Sequence, residues 1–468
     1  MSNGSSAQEL ADAVAREIAG IPPGTRIPAH RELIRRFGVS ATTVSQCLAI
    51  LAQRGLVVTR PGAGTFRSSA QPTQRSGDTS WQDATLGIDS ARSFQSAGML
   101  GTLSIVEPDV IDLNAGYLHP DLQPLTKLAA ALARTARRPE AWDRPPVGGV
   151  PELRDWFATA IGGGLSRHDI LICGAGQSAL AISLRAICSP GGRVVIESPT
   201  YPGIIAAVHA AGLRPVPVPL DADGLRADYL DDALTRTGAQ VVVVQSLFQN
   251  PTGISISAGR QGELREIARR HGAFVIEDDF ARYLTHTDSG PTPPPLIADD
   301  PDGTVIHVRS LTKVTSSNLR VGAIAARGPV AAKLRAVHVI DTMFIPAPLQ
   351  YAALDLVTGS GWNRALTTLA LALTERRTVA VSAVAAAFGP SALTFEPRGG
   401  YHLWLTLPRD HDGRQLASSA MALGVAVTPG ENYYPTDNSP PHVRLSYAAA
   451  PSIADIDTGI HRLQPLTG

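Results

Sequence analysis

Two unbroken apolar runs, Val241-Val242-Val243-Val244 and Ala273-Phe274-Val275-Ile276, constrain what this chain can fold into more than any other feature. Both are short, apolar at every position and rich in β-branched residues, the pattern of a buried strand. A helical stretch near Gln261 to His271 separates them, and the same alternation runs from about Val110 to the C-terminus, which predicts an α/β domain. Polar residues follow each run: Asn250-Pro251-Thr252-Gly253 after the first and Glu277-Asp278-Asp279 after the second. A third β-rich segment, Thr304-Val305-Ile306-His307-Val308, leads to Ser310, Thr312 and Lys313. Polar groups beyond the ends of central strands are what a ligand crevice in an α/β sheet requires.

Composition singles out the lysine. The chain has three, Lys127, Lys313 and Lys333, against 38 arginines. Arginine serves here wherever positive charge suffices, but only a lysine amine can attack an aldehyde carbon and form a Schiff base. Arg320, seven residues on, is a second cation suited to gripping a phosphate bidentately. Ser310-Leu311-Thr312-Lys313 with Arg320 at plus seven resembles the cofactor-lysine motif of fold-type I pyridoxal-phosphate (PLP) enzymes. That resemblance implies PLP held as a Schiff base on Lys313, with Ser310 and Arg320 among its contacts.

Other residues fit the same cofactor. Its ring nitrogen needs a carboxylate, for which Asp278 at a strand end is placed, and its ring hydroxyl needs a neutral donor, which Asn250 offers. Its phosphate needs backbone N–H groups at a helix start, and Gly174-Ala175-Gly176-Gln177-Ser178, ahead of a helix expected over Ala179 to Ile187, offers Gly176, Gln177 and Ser178. Tyr201 is the aromatic candidate to cover the ring face. Taken singly, each has a plain structural reading as turn, cap or packing residue. In the order glycine turn, Tyr, Asn, Asp, Lys, Arg they resemble fold-type I aminotransferases across roughly residues 110–460. Pro397 to Trp404 and His442 to Tyr447 extend the likeness, and Arg444 matches the family arginine that binds a substrate carboxylate. A purely structural Arg444 would pair with an internal acid instead. One departure stands out: relatives place a Tyr two residues after the ring-nitrogen Asp, where this chain has Phe280, which has no donor.

The N-terminal part reads differently. Leu10, Val14 and Ile18 have helical spacing, and Pro22-Pro23-Gly24 must turn. A second helix over Ala29 to Phe37 ends at Gly38, and Ser40 caps a third that runs to about Gln53. In that third helix Val44, Leu48 and Leu51 form an apolar stripe, with Thr42, Thr43, Ser45 and Gln46 turned away from it. Leu56 to Arg60 and Thr65 to Arg67, joined by Pro61-Gly62-Ala63-Gly64, make a hairpin wing. Helix, turn, cap and wing in this order resemble the winged helix-turn-helix of GntR-family transcription regulators. The resemblance implies DNA contacts at Arg31, Ser40, Thr42, Thr43, Gln46, Arg60 and Gly62, with Gln46 reaching a base edge and the arginines and hydroxyls holding phosphates. Ala41 stands where many relatives carry an arginine that contacts DNA, which predicts weaker binding or a shallower salt dependence. Eight arginines against four acids in the first 70 residues suit the same partner.

Polar and small residues from Ser68 to about Glu107 read as a linker whose later part, with Trp81, Leu86, Phe94 and Leu100, docks on something. The expected organisation is a DNA-binding head over 7–68, a linker over 69–107 and an aminotransferase-like body over 108–468. Cys47, Cys173 and Cys188 fit no disulfide or metal spacing, which predicts packing roles in a reducing cytoplasm and no metal. No apolar run approaches the length of a membrane span. Together these parts resemble the MocR subfamily of GntR regulators, which implies a homodimer, head to tail, on a double-stranded operator. Its signal is either a carboxylate-bearing amino compound or PLP itself. Two alternatives stay open, an active aminotransferase with an auxiliary head and a DNA-binding protein whose body is a cofactor-free scaffold.

Overall fold

The computed structural model describes residues 3–60, 62–68, 81–82, 85, 97–436 and 439–466. The chain divides into two compact units, Met1–Asp89 and Ser90–Gly468.

The first unit has helices Asn3–Ile18, His30–Phe37 and Ala41–Gln53, followed by strands Val57–Arg60 and Gly64–Arg67. Its core gathers Leu10, Val14 and Ile18 with Leu33, Val44, Cys47, Leu51 and Val57. Gly38 stops the second helix in the left-handed conformation, at φ 62°, and its N–H bonds the Ile34 carbonyl. Two residues later the Ser40 hydroxyl accepts the Thr43 N–H at 3.1 Å. A glycine stop and a serine start, worth about 1 kcal/mol at the cap, fix the bend between the two helices. The hairpin pairs antiparallel from Val57 opposite Arg67 to Arg60 opposite Gly64. Pro61 lies outside the described residues.

The second unit is built on an eight-stranded sheet. Its order is Ile170–Cys173, Gly322–Ala326, Val305–Ser310, Phe274–Asp279, Val241–Val244, Arg193–Ser198, Arg214–Asp221 and Gly224–Leu225. All adjacent pairs from Val305–Ser310 to Arg214–Asp221 are parallel, while Gly322–Ala326 runs against both of its neighbours. The four valines explain why the run is unbroken: Val242 and Val244 pack into one core and Val241 and Val243 into another, one on each face of the sheet. Each such burial is worth roughly 1.5–3 kcal/mol. Since the strands ending at Cys173, Ser198, Val244, Asp279 and Ser310 point the same way, their following residues collect along one edge. A smaller antiparallel sheet of His402–Thr406, His442–Ser446 and Thr428–Pro429 sets Trp404 opposite Arg444.

Two details differ from the sequence expectation. The helix after Cys173 starts at Ala175, not Ala179, so Gly176, Gln177 and Ser178 lie in its first turn. The expected linker contains a helix, Ala97–Leu103, whose Gly101 carbonyl accepts an Asn114 Nδ2 bond at 2.7 Å. Gly98 and Gly101 leave this helix without a readable apolar period, and the bond from Asn114 holds it. Trp81 and Leu100 are exposed, and Leu86 and Phe94 lie outside the described residues.

Candidate functional site

Lys313 sits three residues beyond Val305–Ser310. Its Nζ donates to the Gly116 carbonyl at 2.6 Å and stands 3.9 Å from the Tyr117 ring centre. Enclosure lowers its pKa from 10.5 to about 7, and the Arg444 cation adds to the shift, so much of the amine is neutral and nucleophilic at physiological pH. Ser310 and Thr312 are buried beside it, bonded hydroxyl to hydroxyl at 3.0 Å.

Asp278 lies at the end of Phe274–Asp279, in the same cavity. Burial raises its pKa to about 6, and a hydrogen bond from Gln245 Nε2 at 2.9 Å opposes the rise. The Gln245 side-chain oxygen Oε1 accepts the Asn250 N–H at 3.1 Å, so one side-chain amide braces both residues. Glu197 lies behind this pair with its carboxyl fully buried and its pKa pushed up to about 8 by that burial. Its two oxygens accept from the Gln245 N–H and from Gln249 Nε2.

Gly176, Gln177 and Arg320 line the cavity at the helix start. Arg320, at a left-handed φ of 49°, donates to the Gly174 carbonyl at 3.0 Å. Ser178 is in the same helical turn. Gly203 explains the Tyr-Pro-Gly sequence: a Cβ there would come within 2.2 Å of the Tyr201 ring and 2.3 Å of the Gln177 amide oxygen. Only a bare backbone lets that ring and Gln177, whose Nε2 bonds the Gly203 carbonyl at 2.8 Å, close over it.

Arg444 is 1 % exposed and has no carboxylate partner among the described residues. Its guanidinium bonds the Asn114 carbonyl, Thr428 Oγ1 at 3.3 Å and Asn250 Oδ1 at 3.5 Å, and rests near the rings of Tyr401 and Tyr433. Its Nε has no hydrogen-bond partner among the described residues. Phe280 lines the cavity as a bare ring, edge to face with Tyr401 at 6.2 Å.

Sequence reasoning missed Gln245, Glu197, Gly116, Tyr117 and Tyr401. Gln245 is the first residue after the four valines and Glu197 breaks the run Val194-Val195-Ile196, so both carried the signal used elsewhere, a polar residue at a strand end. Gly116 and Tyr117 are brought over Lys313 from nearly 200 residues away, and no local pattern announces that.

In the head, Arg31, Ser40, Thr42, Gln46, Arg60 and Gly62 have solvent-facing positions, while Thr43 is half-buried with its hydroxyl bonded to Ser40 Oγ at 2.8 Å. Ser45 bonds His30 at 3.0 Å, and the Arg60 guanidinium lies over the Phe66 ring at 4.9 Å. Among the described residues no group of three or more His, Cys, Asp or Glu side chains could hold a metal ion, and no helix is long and apolar enough to cross a membrane.

A mostly parallel sheet with a lysine, an aspartate and a helix start at one edge, and an arginine on a smaller sheet, defines an aminotransferase-type body of fold type I. The chain belongs to the aminotransferase class I and II family, which matches residues 108–463, and residues 6–66 match the bacterial regulatory proteins of the gntR family. This pairing is that of the MocR subfamily. Over 445 residues the chain is 27 % identical to the HTH-type transcriptional regulator YisV of Bacillus subtilis, covering 93 % of this chain and 90 % of that protein. It is 26 % identical to aromatic-amino-acid aminotransferase 1 of Thermococcus litoralis, over 80 % of this chain and 92 % of the relative. Among solved structures, the α-aminoadipate aminotransferase LysN of Thermus thermophilus, complexed with N-(5'-phosphopyridoxyl)-L-leucine, superposes with a TM-score of 0.75 at 26 % identity, covering 82 % of this chain and 97 % of LysN.

Proposed function

We propose that this chain is a transcription regulator whose body binds PLP at Lys313 and senses a carboxylate-bearing amino compound, while its winged head binds operator DNA in a cytoplasmic homodimer. The residues fit the cofactor. Lys313 offers a neutral amine, Asp278 a buried carboxylate, Asn250 an amide, and Gly176, Gln177, Ser178, Ser310 and Arg320 surround a helix start suited to phosphate, with Tyr201 beside them. Bound PLP supplies an aldehyde that a lysine captures reversibly and a ring that withdraws electrons. With PLP bound, Lys313 would hold its aldehyde carbon and Arg444 would orient an incoming amine by its carboxylate.

One observation carries the sensing role: Arg444 is buried without an acid partner among the described residues, in the cavity region of Lys313. A buried cation left this way is compensated when an anionic ligand arrives. The ligand shifts the DNA-binding state only through a difference in affinity between two conformations. Visible absorbance with added PLP, compared with Lys313→Ala, tests attachment. DNA affinity, followed by fluorescence anisotropy with PLP alone and then with amino acids, separates PLP as signal from an amino compound as signal. A colourless wild-type protein would sink the reading and leave the body as a scaffold.

The pairing of a neutral lysine with a braced aspartate also supports the second reading, an active aminotransferase with an auxiliary head. Sustained turnover of an amino acid with a keto acid would establish it.

A further inference from the structure

We infer that Tyr401 is the phenolic donor to the ring hydroxyl oxygen of PLP, acting from the small-sheet side in place of the donor that Phe280 lacks. The inference rests on PLP occupying the Lys313 cavity. In PLP the ring hydroxyl sits on the carbon next to the one that bears the aldehyde, so a donor to that oxygen must lie near the nitrogen that captures the aldehyde. Tyr401 meets that condition. A Cβ placed on Gly116 would lie 3.3 Å from the Tyr401 hydroxyl and 3.5 Å from Lys313 Nζ, with Arg444 Nη1 at 4.0 Å. Phenol and amine therefore converge on the space that Gly116 leaves open.

Several other donors in the cavity have partners, and the Tyr201 phenol belongs to the ring placed to cover the cofactor face. Ser310 Oγ donates to Thr312 Oγ1, Gln245 Nε2 serves Asp278, and Gln177 Nε2 serves the Gly203 carbonyl. Tyr117 turns its ring face, not its hydroxyl, to the amine. Asn250 stays available through its amide nitrogen, since its oxygen accepts from Arg444. Tyr401 is a further group of this kind, and the one whose hydroxyl shares the space beside Gly116 with Lys313 Nζ. Its oxygen accepts a hydrogen bond from the Arg444 guanidinium, which leaves its own proton to donate, and burial keeps the phenol protonated far into the alkaline range. Its backbone is pinned by the Tyr447 N–H at 3.0 Å, and its ring by the edge of Phe280.

The test is a pH titration of the visible band of the PLP-loaded full chain in wild type, Tyr401→Phe, Phe280→Tyr and the double variant, beside Lys313→Ala. A donor to the ring oxygen withdraws the negative charge that helps hold a proton on the neighbouring lysine-bound nitrogen, so losing the donor raises the midpoint. Tyr401→Phe is expected to shift it up by about one unit or more, and adding Phe280→Tyr to bring it part of the way back. Thermal melts of the cofactor-free proteins separate this shift from a folding defect. An unmoved midpoint in Tyr401→Phe overturns the inference. If amino acid response alone weakens in that variant, the phenol serves the ligand carboxylate and the inference is likewise overturned. A missing wild-type band, or one that survives in Lys313→Ala, defeats the PLP reading itself and this inference with it.

Discussion

Gln245 and Asp278 are joined by a hydrogen bond of 2.9 Å, from the amide of a residue just past one central strand to a carboxylate at the end of the next. The bond works against the burial that raises the Asp278 pKa to about 6, and so helps keep the group ionised near neutral pH. Gln245→Leu removes it. The Asp278 pKa then rises further, and PLP affinity measured by absorbance titration is expected to fall about tenfold, as befits one hydrogen bond to a charged group.

Lys313 gives the cofactor-free protein a pH signature. Its pKa is about 7 in the fold and 10.5 in the free side chain, so between these values the unfolded chain binds more protons. Stability therefore rises with pH across that window, and below it the cost of burying the charge is felt in full. Urea unfolding at about pH 6 and about pH 9 should show wild type gaining on Lys313→Met at the higher pH. An equal change in both proteins would contradict the lowered pKa.

Glu197 acts in the opposite sense. Its pKa is raised from 4.5 to about 8, so the fold holds a proton that the unfolded chain has lost. The stability linked to that proton is complete below about 4.5 and gone once pH passes about 8. Glu197→Gln cannot ionise. Its melting temperature is expected to gain on that of wild type as pH rises through this window, checked by calorimetry of the cofactor-free proteins.

Gln46 and Arg60 should separate by the kind of DNA contact each makes. If Arg60 holds a phosphate as the family resemblance implies, Arg60→Ala should weaken binding evenly across sequences and lower the salt slope by about one. Gln46→Ala should leave the slope in place and relax preference at one base position by about 1–3 kcal/mol. Anisotropy titrations over a salt series, on an operator and its single-base variants, distinguish the two.

How much of this was legible depends on the reach of the signal. Val241 to Val244 announced a central strand because both faces are packed, and Gly38 with Ser40 announced a bend because each does one local job. Lys313 was legible because the rest of the chain avoids lysine. Helix start Ala175 was read four residues late, since Gly174 and Gly176 flank it and glycine resembles loop. Tyr401 and Gly116 were unreadable because their meaning lies in the distance to Lys313, which exists only after the small sheet has docked on the large one. Phe280 reads as a loss in the sequence, and nothing there marks the phenol packed against it.

Lys313 stands off the edge of the large sheet, and Arg444 lies on a strand of the small one. A molecule gripped at one end by the first and at the other by the second is a strut between two lobes. On the sensing role proposed above, its length in bonds would set their spacing, so the body would measure a ligand as a ruler does, and a molecule one carbon too long or too short would hold the lobes at a different separation.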